Sequence, residues 1–276
     1  MDSGFGKLIE QIGSYLFIRP AAHALWLPRL PETFWKKAHA EFKGSLDGGQ
    51  GKWVFHSPIE KQFKITLLGV PIECRLNDYG HVGVFFEQKD NWLWLKNNAK
   101  KNRHYLNLFG YTGMSSLFMA TSGAKVTHVD ASKPVLNWAR HNANLSAALS
   151  KTPADSFRFI LEDAFTYIRR EEKRGNIYDG IVMDPPTFGR GAKGEIWKIE
   201  KDLIPLLQTC KKILSPQANL FLLSAHSHGF SPSVLKNCLS SIFPEWETNM
   251  ECGDMLIHEE SRAVPAGFFA RWAQKK

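Results

Sequence analysis

The chain has 276 residues, of which 43% are hydrophobic and 22% are charged. This composition predicts a globular protein with one large core and room for a small second domain, and it excludes a mainly disordered chain. Apolar runs fall far short of the roughly 20 residues that cross a bilayer, and the first residues do not resemble a secretory leader, so we expect a cytoplasmic protein. The net charge of +8 favours an anionic partner such as RNA, although a generally solvated basic surface is the alternative.

The four cysteines are scattered, and none of them forms a Cys-x-x-Cys pair. Zinc sites and disulfide frameworks both place cysteines at characteristic short spacings, which this chain lacks. We therefore expect reduced thiols packed as small apolar side chains, and no metal site.

The first 98 residues predict a small β-rich accessory region that is a candidate for substrate recognition. Short β-prone runs lie at 53–56, 63–68 and 72–76, and a glycine-rich turn lies at 45–51. Apolar residues near helical spacing between Phe34 and Phe42 predict one helix within 31–43, with Pro31 in its first turn.

Residues 99–276 alternate between strand-like and helix-like segments. Strands are expected at 104–109, 125–129, 157–161, 178–183 and 219–224, and helices at 114–122, 134–149, 164–174, 199–214 and 233–243. A final hairpin of 255–258 and 267–272 is expected to close the sheet. This alternation is typical of a mostly parallel sheet covered by helices on both faces. The fold class is therefore α/β, with a Rossmann-like sheet of seven strands beside the β-rich N-terminal region.

In such sheets ligands bind beyond the carboxyl ends of the strands, so the residues after each strand are informative. Asn107–Gly113 follows the first strand, and its two glycines, Gly110 and Gly113, allow the backbone to approach a ligand closely. The segment lacks the G-x-G-x-x-G pattern that holds a pyrophosphate. It therefore favours a single-nucleoside cofactor over NAD.

Two carboxylates follow the next two strands. Asp130 is placed to accept hydrogen bonds from both hydroxyls of a ribose. The alternative is that it caps the following helix, but Ser132 is better placed for that task. Asp163 is placed either to accept from an adenine amino group or to cap the next helix, and the sequence leaves both possibilities open.

The fourth strand ends in Asp184-Pro-Pro-Thr-Phe188. The two prolines stiffen this turn, Asp184 offers an acceptor at the sheet edge, and Phe188 offers a ring on which a flat base could stack. Its position directly after the apolar strand that ends at Met183 distinguishes it from an ordinary proline-rich loop.

Together these residues resemble the class I S-adenosylmethionine (SAM)-dependent methyltransferases. More narrowly, they resemble the bacterial family that includes the 5-methylcytidine-forming and 7-methylguanosine-forming 23S ribosomal RNA methyltransferases. Residues 107–113 are similar to that family's first cofactor motif, 129–132 to its ribose-binding motif, 184–188 to its catalytic turn, and 80–88 to the segment that leads onto the cofactor. The resemblance covers nearly the whole chain and implies SAM as cofactor and RNA, ribosomal above all, as substrate.

The resemblance also implies roles for individual residues. Those expected to bind the cofactor are Phe85, Gln88, Asn107, Phe109, Tyr111, Thr112, Gly113, Asp130, Ala131, Ser132, Asp163 and Ala164. Those expected to act in catalysis are Asp184, Pro185, Pro186 and Phe188.

The chain departs from the family pattern after the fifth strand. Cytosine C5 methyltransferases of the family attack the base with a cysteine at this point, whereas residues 222–229 contain no cysteine and Ser227 takes the corresponding place. A hydroxyl without an activating base is a poor substitute for a thiolate. We therefore expect methylation of a nitrogen or oxygen, with a nitrogen of a base favoured.

Three further features have both a functional and a structural interpretation. His226 and His228 are candidates for a base or an orienting group, or are ordinary solvent-facing histidines. Residues 189–194, with Trp197 and Lys198, predict a mobile loop that grips nucleic acid, or a solvated loop. A basic cluster between 96 and 103 either guides RNA or keeps a linker helix soluble.

Alternative functions predict different ligands. Methylation of a protein or a small molecule would use the same cofactor site. A SAM-binding protein without catalysis would act as an RNA-associated factor, which the Asp-Pro-Pro turn argues against. An NAD-dependent oxidoreductase would bind nicotinamide instead of SAM. The sequence does not indicate the oligomeric state.

Overall fold

The computed structural model describes residues 2–44, 49–149, 154–191, 194–227, 229–258 and 262–275. The chain forms two compact units. The first comprises Met1–Glu87 with Leu256–Ala266, and the second comprises Gln88–Met255 with Gly267–Lys276. The N-terminal segment of the first unit ends at Glu87, and a domain boundary at residue 98 stays a prediction. In the described residues no helix is both long and apolar enough to cross a membrane.

The first unit is rich in β-structure, as predicted. Its elements are β1 (Asp2–Gly4), β2 (Lys7–Ile12), β3 (Tyr15–Pro20), α1 (Glu32–Trp35), β4 (Ala40–Lys43), β5 (Lys52–Phe55), β6 (Gln62–Leu67) and β7 (Val70–Arg75). Strands β1 to β5 form one sheet in sequence order, and β6 pairs with β7 as a separate hairpin. The first three strands, over residues 2–20, were not predicted. Part of the predicted glycine-rich turn, residues 45–48, lies outside the described residues.

The prediction of one helix within 31–43 is correct for the first turn and wrong for the residues that follow it. Helix α1 ends at Trp35, and Ala40–Lys43 forms strand β4, which pairs with β3 and β5. Phe42 is buried and packs edge-on against Trp53 of β5, with ring centroids 5.3 Å apart. Burial of Phe42 in the sheet outweighs its helical spacing from Phe34, because tertiary packing overrides local periodicity.

The second unit contains the alternating elements predicted from the sequence. After α2 (Lys89–Asn98) come β8 (His104–Leu108), α3 (Met114–Ala120), β9 (Lys125–Asp130), α4 (Lys133–Leu149), β10 (Phe157–Leu161), α5 (Ala164–Arg174) and β11 (Gly180–Met183). They are followed by β12 (Phe188–Arg190), β13 (Ile196–Lys198), α6 (Ile199–Lys212), β14 (Leu220–Ala225) and α7 (Pro232–Ile242). The last two strands are β15 (Met250–His258) and β16 (Ala263–Ala273), whose residues 256–258 and 263–266 belong to the first unit. The predicted strands and helices are confirmed with small shifts at their ends, and the terminal hairpin is longer than predicted.

The main sheet has seven strands in the order β10-β9-β8-β11-β14-β16-β15. Strands β8 to β11 and β14 are parallel, and β16 runs antiparallel to β14. The order of strands reverses at β8, which lies between β9 and β11, and this is where open α/β sheets bind ligands. In register, Leu108, Met183 and Leu223 lie side by side, so the residues that follow these strands share one edge.

Two hydrophobic clusters cover opposite faces of the sheet. Along β14, Phe221 and Leu223 belong to the cluster with α5, α6 and α7, whereas Leu220 and Leu222 belong to the cluster with α2 and α3. Side chains alternate along a strand, so a continuous apolar run can supply both clusters. Burial on both faces fixes the strand ends from which the polar side chains of the site extend.

Candidate active site

The segment Asn107–Gly113, here called the glycine turn, has an unusual backbone. Phe109, Tyr111 and Gly113 have φ angles of 55°, 51° and 94°, in the left-handed region. Two non-glycine residues in this region mark a strained turn of the kind found at ligand sites. Gly110 lies between them, and a Cβ there would come within 2.3 Å of the His128 ring. Glycine is therefore required at 110 by the packing of His128, a reason the sequence did not reveal.

Asn107 is held inside the protein. Its side chain is buried and donates through Nδ2 to Ser116 Oγ at 2.9 Å, and Ser116 Oγ lies 3.0 Å from His128 Nδ1. Burial lowers the pKa of His128 to about 4, so this histidine is neutral at physiological pH. These hydrogen bonds support the glycine turn from the protein interior. A direct contact of Asn107 with the cofactor stays a prediction.

Asp130 joins the glycine turn to the loop after β9. Its Oδ2 accepts from the backbone N–H of Tyr111 at 2.9 Å, and its Oδ1 accepts from that of Ser132 at 2.8 Å. Burial raises the pKa of Asp130 above its usual value, against the lowering effect of these two hydrogen bonds. Within the described residues each carboxylate oxygen accepts one hydrogen bond, and because such an oxygen can accept two, each can accept another. These two acceptor oxygens fit the paired hydroxyls of a ribose, which would donate to them.

Asp163 caps helix α5. Its Oδ1 accepts from the backbone N–H of Thr166 at 2.8 Å, and its own backbone is extended, as is usual for an N-cap. Of the two possibilities that the sequence left open, the structure shows the cap. The half-buried carboxylate has a second oxygen, so a contact with an adenine amino group stays a prediction.

The other residues predicted to bind the cofactor lie on the same loops, except for Gln88, which precedes α2, and Phe85. Phe109 packs against Trp197 at 5.1 Å, Tyr111 lies 6.4 Å from the Trp138 ring, and the Thr112 carbonyl accepts from Asn142 at 3.0 Å. Ala131 and Ala164 follow the ends of β9 and β10. Phe85 belongs to the first unit and packs there against His81. Their contacts with a cofactor stay predictions.

Asp184 is held by three side chains at the carboxyl edge of the sheet. Its Oδ2 accepts from Gln88 Nε2 at 3.1 Å, and its Oδ1 accepts from Ser224 Oγ at 2.8 Å and lies 3.6 Å from His226 Nδ1. Burial opposes the negative charge, but the electrostatic effect of His226 and these hydrogen bonds together lower the pKa of Asp184 below its ordinary value. The carboxylate is ionised at neutral pH, and 28% of the side chain remains exposed.

The sequence did not predict these partners of Asp184. Gln88 was expected to contact the cofactor, but its amide nitrogen bonds to Asp184 and to Ser224 Oγ at 2.9 Å. Ser224 carried one signal in the sequence, because it is a polar residue at the end of an otherwise apolar strand. A buried hydroxyl needs a partner, and the residues after the neighbouring strand supply it.

The turn Asp184–Phe188 is supported by a short hairpin that follows it. Strands β12 and β13 pair antiparallel, and Gly191 bonds to Glu195 near the hairpin end. Trp197 was predicted to contact nucleic acid, but it is buried and donates to the carbonyl oxygen of Pro186 at 2.6 Å. Residues 188–190 and 196–198 are thus paired strands in which Trp197 is buried, whereas Arg190, Gly194 and Lys198 are exposed. A role of this segment in gripping nucleic acid stays a prediction, and Ala192 and Lys193 lie outside the described residues.

The exposure of the turn differs from residue to residue. Pro185 is buried, whereas Pro186 and Thr187 are exposed. Phe188 leaves 49% of its surface accessible, and the Arg190 guanidinium lies 5.9 Å from its ring centroid. An exposed aromatic ring beside an ionised carboxylate can present both a stacking surface and an acceptor to a flat base.

Ser227 does not resemble an activated nucleophile. It is 1% exposed, and its hydroxyl lies 2.8 Å from the Thr187 hydroxyl. This supports the expectation that it does not replace the missing cysteine. Of the two neighbouring histidines, His226 lies beside Asp184, whereas His228 falls outside the described residues.

Two predictions on charges and metals can be compared with the structure. In the basic cluster, Arg103 pairs with Asp179 at 2.6 Å, whereas Lys96, Lys100 and Lys101 are exposed. In the part of the chain that the structure describes, no three His, Cys, Asp or Glu side chains are grouped so that they could hold a metal ion.

The fold and the loops together define a class of enzyme. A strained glycine turn after the strand at the switch point, a ribose-type carboxylate after the next strand and an Asp-Pro-Pro turn are the parts of a Rossmann-like SAM-dependent methyltransferase. Residues 45–237 match a family model described as S-adenosylmethionine-dependent methyltransferase. The chain belongs to this family, and its cofactor is SAM. This decides against the NAD-dependent alternative.

Solved structures and curated proteins agree with this assignment. A SAM-dependent methyltransferase from Agrobacterium tumefaciens is 40% identical, with a TM-score of 0.91 over 100% of this chain and 90% of that one. A methyltransferase solved with SAH has a TM-score of 0.73 at 20% identity, covers 97% of this chain and 72% of its own, and shows the fold alone. The ribosomal RNA large subunit methyltransferase K/L of Pseudoalteromonas translucida is 34% identical over 180 residues, 63% of this chain and 24% of that protein. The chain thus spans about a quarter of the length of the curated relatives it matches.

Proposed function

We propose that this methyltransferase modifies a nitrogen of a base in RNA, with ribosomal RNA as the leading substrate. The observation that carries the proposal is the ionised Asp184 carboxylate at the sheet edge, four residues before the exposed Phe188 ring. The name of the curated relatives, ribosomal RNA large subunit methyltransferase, and the net charge of +8 support the choice of RNA. Action on ribosomal RNA agrees with the expected cytoplasmic location.

The side chains suit a reaction at nitrogen. SAM supplies an electrophilic methyl group on a sulfonium when it is bound. Asp184 accepts a hydrogen bond from the nitrogen that gains the methyl group and stabilises the positive charge that develops there. Phe188 stacks on the base and fixes its plane, and the stiff Pro185-Pro186 turn holds both groups in place.

Reaction at cytosine C5 fits these side chains less well. That reaction needs a nucleophile that adds to C6 of the base, and such a nucleophile must be accessible and activated. Ser227, at the corresponding position, is buried against Thr187. The product expected is therefore an N-methylated base.

The test uses purified enzyme, labelled SAM and total RNA from a strain that lacks the gene, followed by nucleoside mass spectrometry. Asp184→Ala is expected to abolish methyl transfer yet leave SAM affinity within about tenfold, because Asp184 belongs to the acceptor side of the site. The matched control is Asp254→Ala, which removes an exposed carboxylate on β15 and should leave transfer unchanged. An active Asp184→Ala enzyme, a 5-methylcytidine product or label that survives ribonuclease would each overturn the proposal.

A further inference from the structure

A chain of hydrogen bonds connects Asp184 with an arginine on the last strand. Arg271 donates through a terminal guanidinium nitrogen to Asn91 Oδ1 at 3.1 Å. Asn91 Nδ2 donates to Gln88 Oε1 at 2.8 Å, and Gln88 Nε2 donates to Asp184 Oδ2 at 3.1 Å. Asn91 and Gln88 are buried, at 1% and 5% exposure. We call these two side chains the amide relay.

The relay has a direction because its two ends differ in chemistry. The Arg271 guanidinium can only donate hydrogen bonds, so it selects the oxygen of Asn91. The Asn91 nitrogen then faces Gln88 and selects the Gln88 oxygen. Gln88 is left with its nitrogen facing Asp184, which as an ionised carboxylate can only accept.

At the Asp184 end the hydrogen bonds close a ring. Gln88 Nε2 also donates to Ser224 Oγ at 2.9 Å, and Ser224 donates its own proton to Asp184 Oδ1 at 2.8 Å. A Gln88 amide turned the other way would place its oxygen against the carboxylate and deprive Ser224 of a donor. Buried polar groups left without partners are costly, so the orientation of Gln88 governs the whole ring.

Arg271 is itself held in place by side chains of the same unit. It forms two contacts with Glu251 Oε2, at 2.9 Å and 2.8 Å, and its guanidinium lies over the rings of Trp94 and Phe269. Only 15% of the arginine side chain is exposed, whereas 61% of the Glu251 side chain is exposed. The arginine is thus fixed by packing, with a donor directed inward at Asn91.

We propose that Arg271, acting through Asn91 and Gln88, is a positioning residue that sets the polarity of the hydrogen bonds on the Asp184 carboxylate. The relay holds the Asp184 carboxylate in one orientation toward the nitrogen that is methylated. The inference deepens the proposed function and rests on it for the identity of the acceptor. The relay itself is defined by the geometry of these side chains.

The sharpest variant is Asn91→Asp, which is nearly the same size and still accepts from Arg271. An aspartate cannot donate to Gln88, so Gln88 must either turn its oxygen toward Asp184 or face the new carboxylate with that oxygen. Either arrangement disturbs the ring of hydrogen bonds at Asp184. We therefore expect kcat to fall at least about tenfold. The substrate is total RNA from a strain that lacks the gene. SAM affinity, measured by calorimetry, should stay within about threefold.

Two arginine variants and one control complete the series. Arg271→Met keeps most of the packing but removes the donor, so it should also lower kcat, whereas Arg271→Lys restores a donor and should recover much of the loss. Glu251→Gln removes the charged partner of Arg271 but leaves its donor to Asn91, and should leave kcat within about twofold.

A spectroscopic measurement separates this inference from the proposed function. The side-chain amide signal of Gln88, identified by its absence in Gln88→Met, should change in both Asn91→Asp and Asp184→Ala but not in Glu251→Gln. If Asp184→Ala remains active while this pattern holds, the proposed function fails and the relay stands. An unchanged Gln88 signal in folded Asn91→Asp, or equal kcat in that variant and the wild type, would overturn the relay.

Discussion

The indole nitrogen of Trp197 donates a 2.6 Å hydrogen bond to the carbonyl oxygen of Pro186. The same indole packs against Phe109 of the glycine turn, with ring centroids 5.1 Å apart. One residue of the β12–β13 hairpin thus contacts both the turn that carries Asp184 and the turn expected to hold the cofactor. Through Trp197 the hairpin therefore supports both turns of the site.

Trp197→Phe tests this support because it keeps an aromatic ring against Phe109 but removes the N–H donor together with part of the indole. The Pro186 carbonyl then loses its partner, which should lower the free energy of unfolding by about 1 kcal/mol. A looser turn should reduce kcat about tenfold while SAM affinity changes little. Steady-state kinetics, calorimetry and urea unfolding measure the three quantities.

The matched control is Trp246→Phe, in a buried tryptophan that stacks on Phe243 and Trp272. It should lower stability by a similar amount and leave kcat unchanged. If the two variants lose activity equally, the loss reflects stability and Trp197 has no special relation to the turn.

Much of the fold could be predicted because the second unit obeys simple periodicities. The strand at 157–161 and the helix at 164–174 have the predicted bounds, since an apolar strand, a capping aspartate and Gly175 mark their ends locally. The first unit was harder. Residues 31–43 form one helical turn followed by a strand. The apolar residues of this turn and strand are spaced as in a single helix. Only the pairing of the strand with distant strands shows that the helix ends early.

The residues of the site also divide into those that the sequence could predict and those that it could not. Asp130 and Asp184 were predictable because each lies at the carboxyl end of a strand, and these strand ends converge at one edge of the sheet. The partners of Asp184 were not, since Gln88 lies 96 positions away in the chain and Ser224 lies 40 positions away. A single sequence carries no local signal for such contacts. The hydrogen bond from Trp197 to Pro186 was missed for the same reason.

Asp130→Asn should separate cofactor binding from the shape of the glycine turn. An asparagine has one accepting oxygen, so its NH2 group would face the backbone N–H of either Tyr111 or Ser132. We expect SAM affinity to fall more than about tenfold and unfolding to become easier by roughly 1 to 3 kcal/mol. Calorimetry with SAH and urea unfolding measure both effects, and unaltered affinity in a folded variant would remove Asp130 from the cofactor site.

The buried His128 predicts a dependence of stability on pH. Its pKa is lowered by burial from 6.5 to about 4, so below pH 6.5 the unfolded chain binds a proton that the folded protein does not. Stability should therefore fall as the pH decreases from 6.5 to 4, and this gap corresponds to about 3 kcal/mol. His128→Gln cannot take up this proton, so its unfolding free energy should fall less over that range. Parallel curves for the two proteins would contradict the assignment.

Ser227→Ala tests the absence of a covalent step. The variant loses one hydrogen bond to Thr187, so its unfolding free energy should fall by about 1 kcal/mol. Because the buried hydroxyl takes no part in the chemistry proposed here, kcat should stay within about threefold. Complete loss of transfer in a folded Ser227→Ala protein, together with a covalent RNA adduct of the wild type, would restore Ser227 as the nucleophile.

Asp163→Ser separates the two functions that one carboxylate can serve. Serine is as good an N-cap as aspartate, so helix α5 should keep its hydrogen bond to Thr166 and the unfolding free energy should change by less than about 0.5 kcal/mol. The shorter side chain lacks the second carboxylate oxygen, the one predicted to accept from the adenine amino group. We therefore expect SAH to bind about tenfold more weakly, which corresponds to about 1.4 kcal/mol. As a control, Ser231→Ala removes the cap of α7 and should lower stability without changing SAH affinity. Equal SAH affinity in Asp163→Ser and the wild type would show that Asp163 serves only to cap its helix.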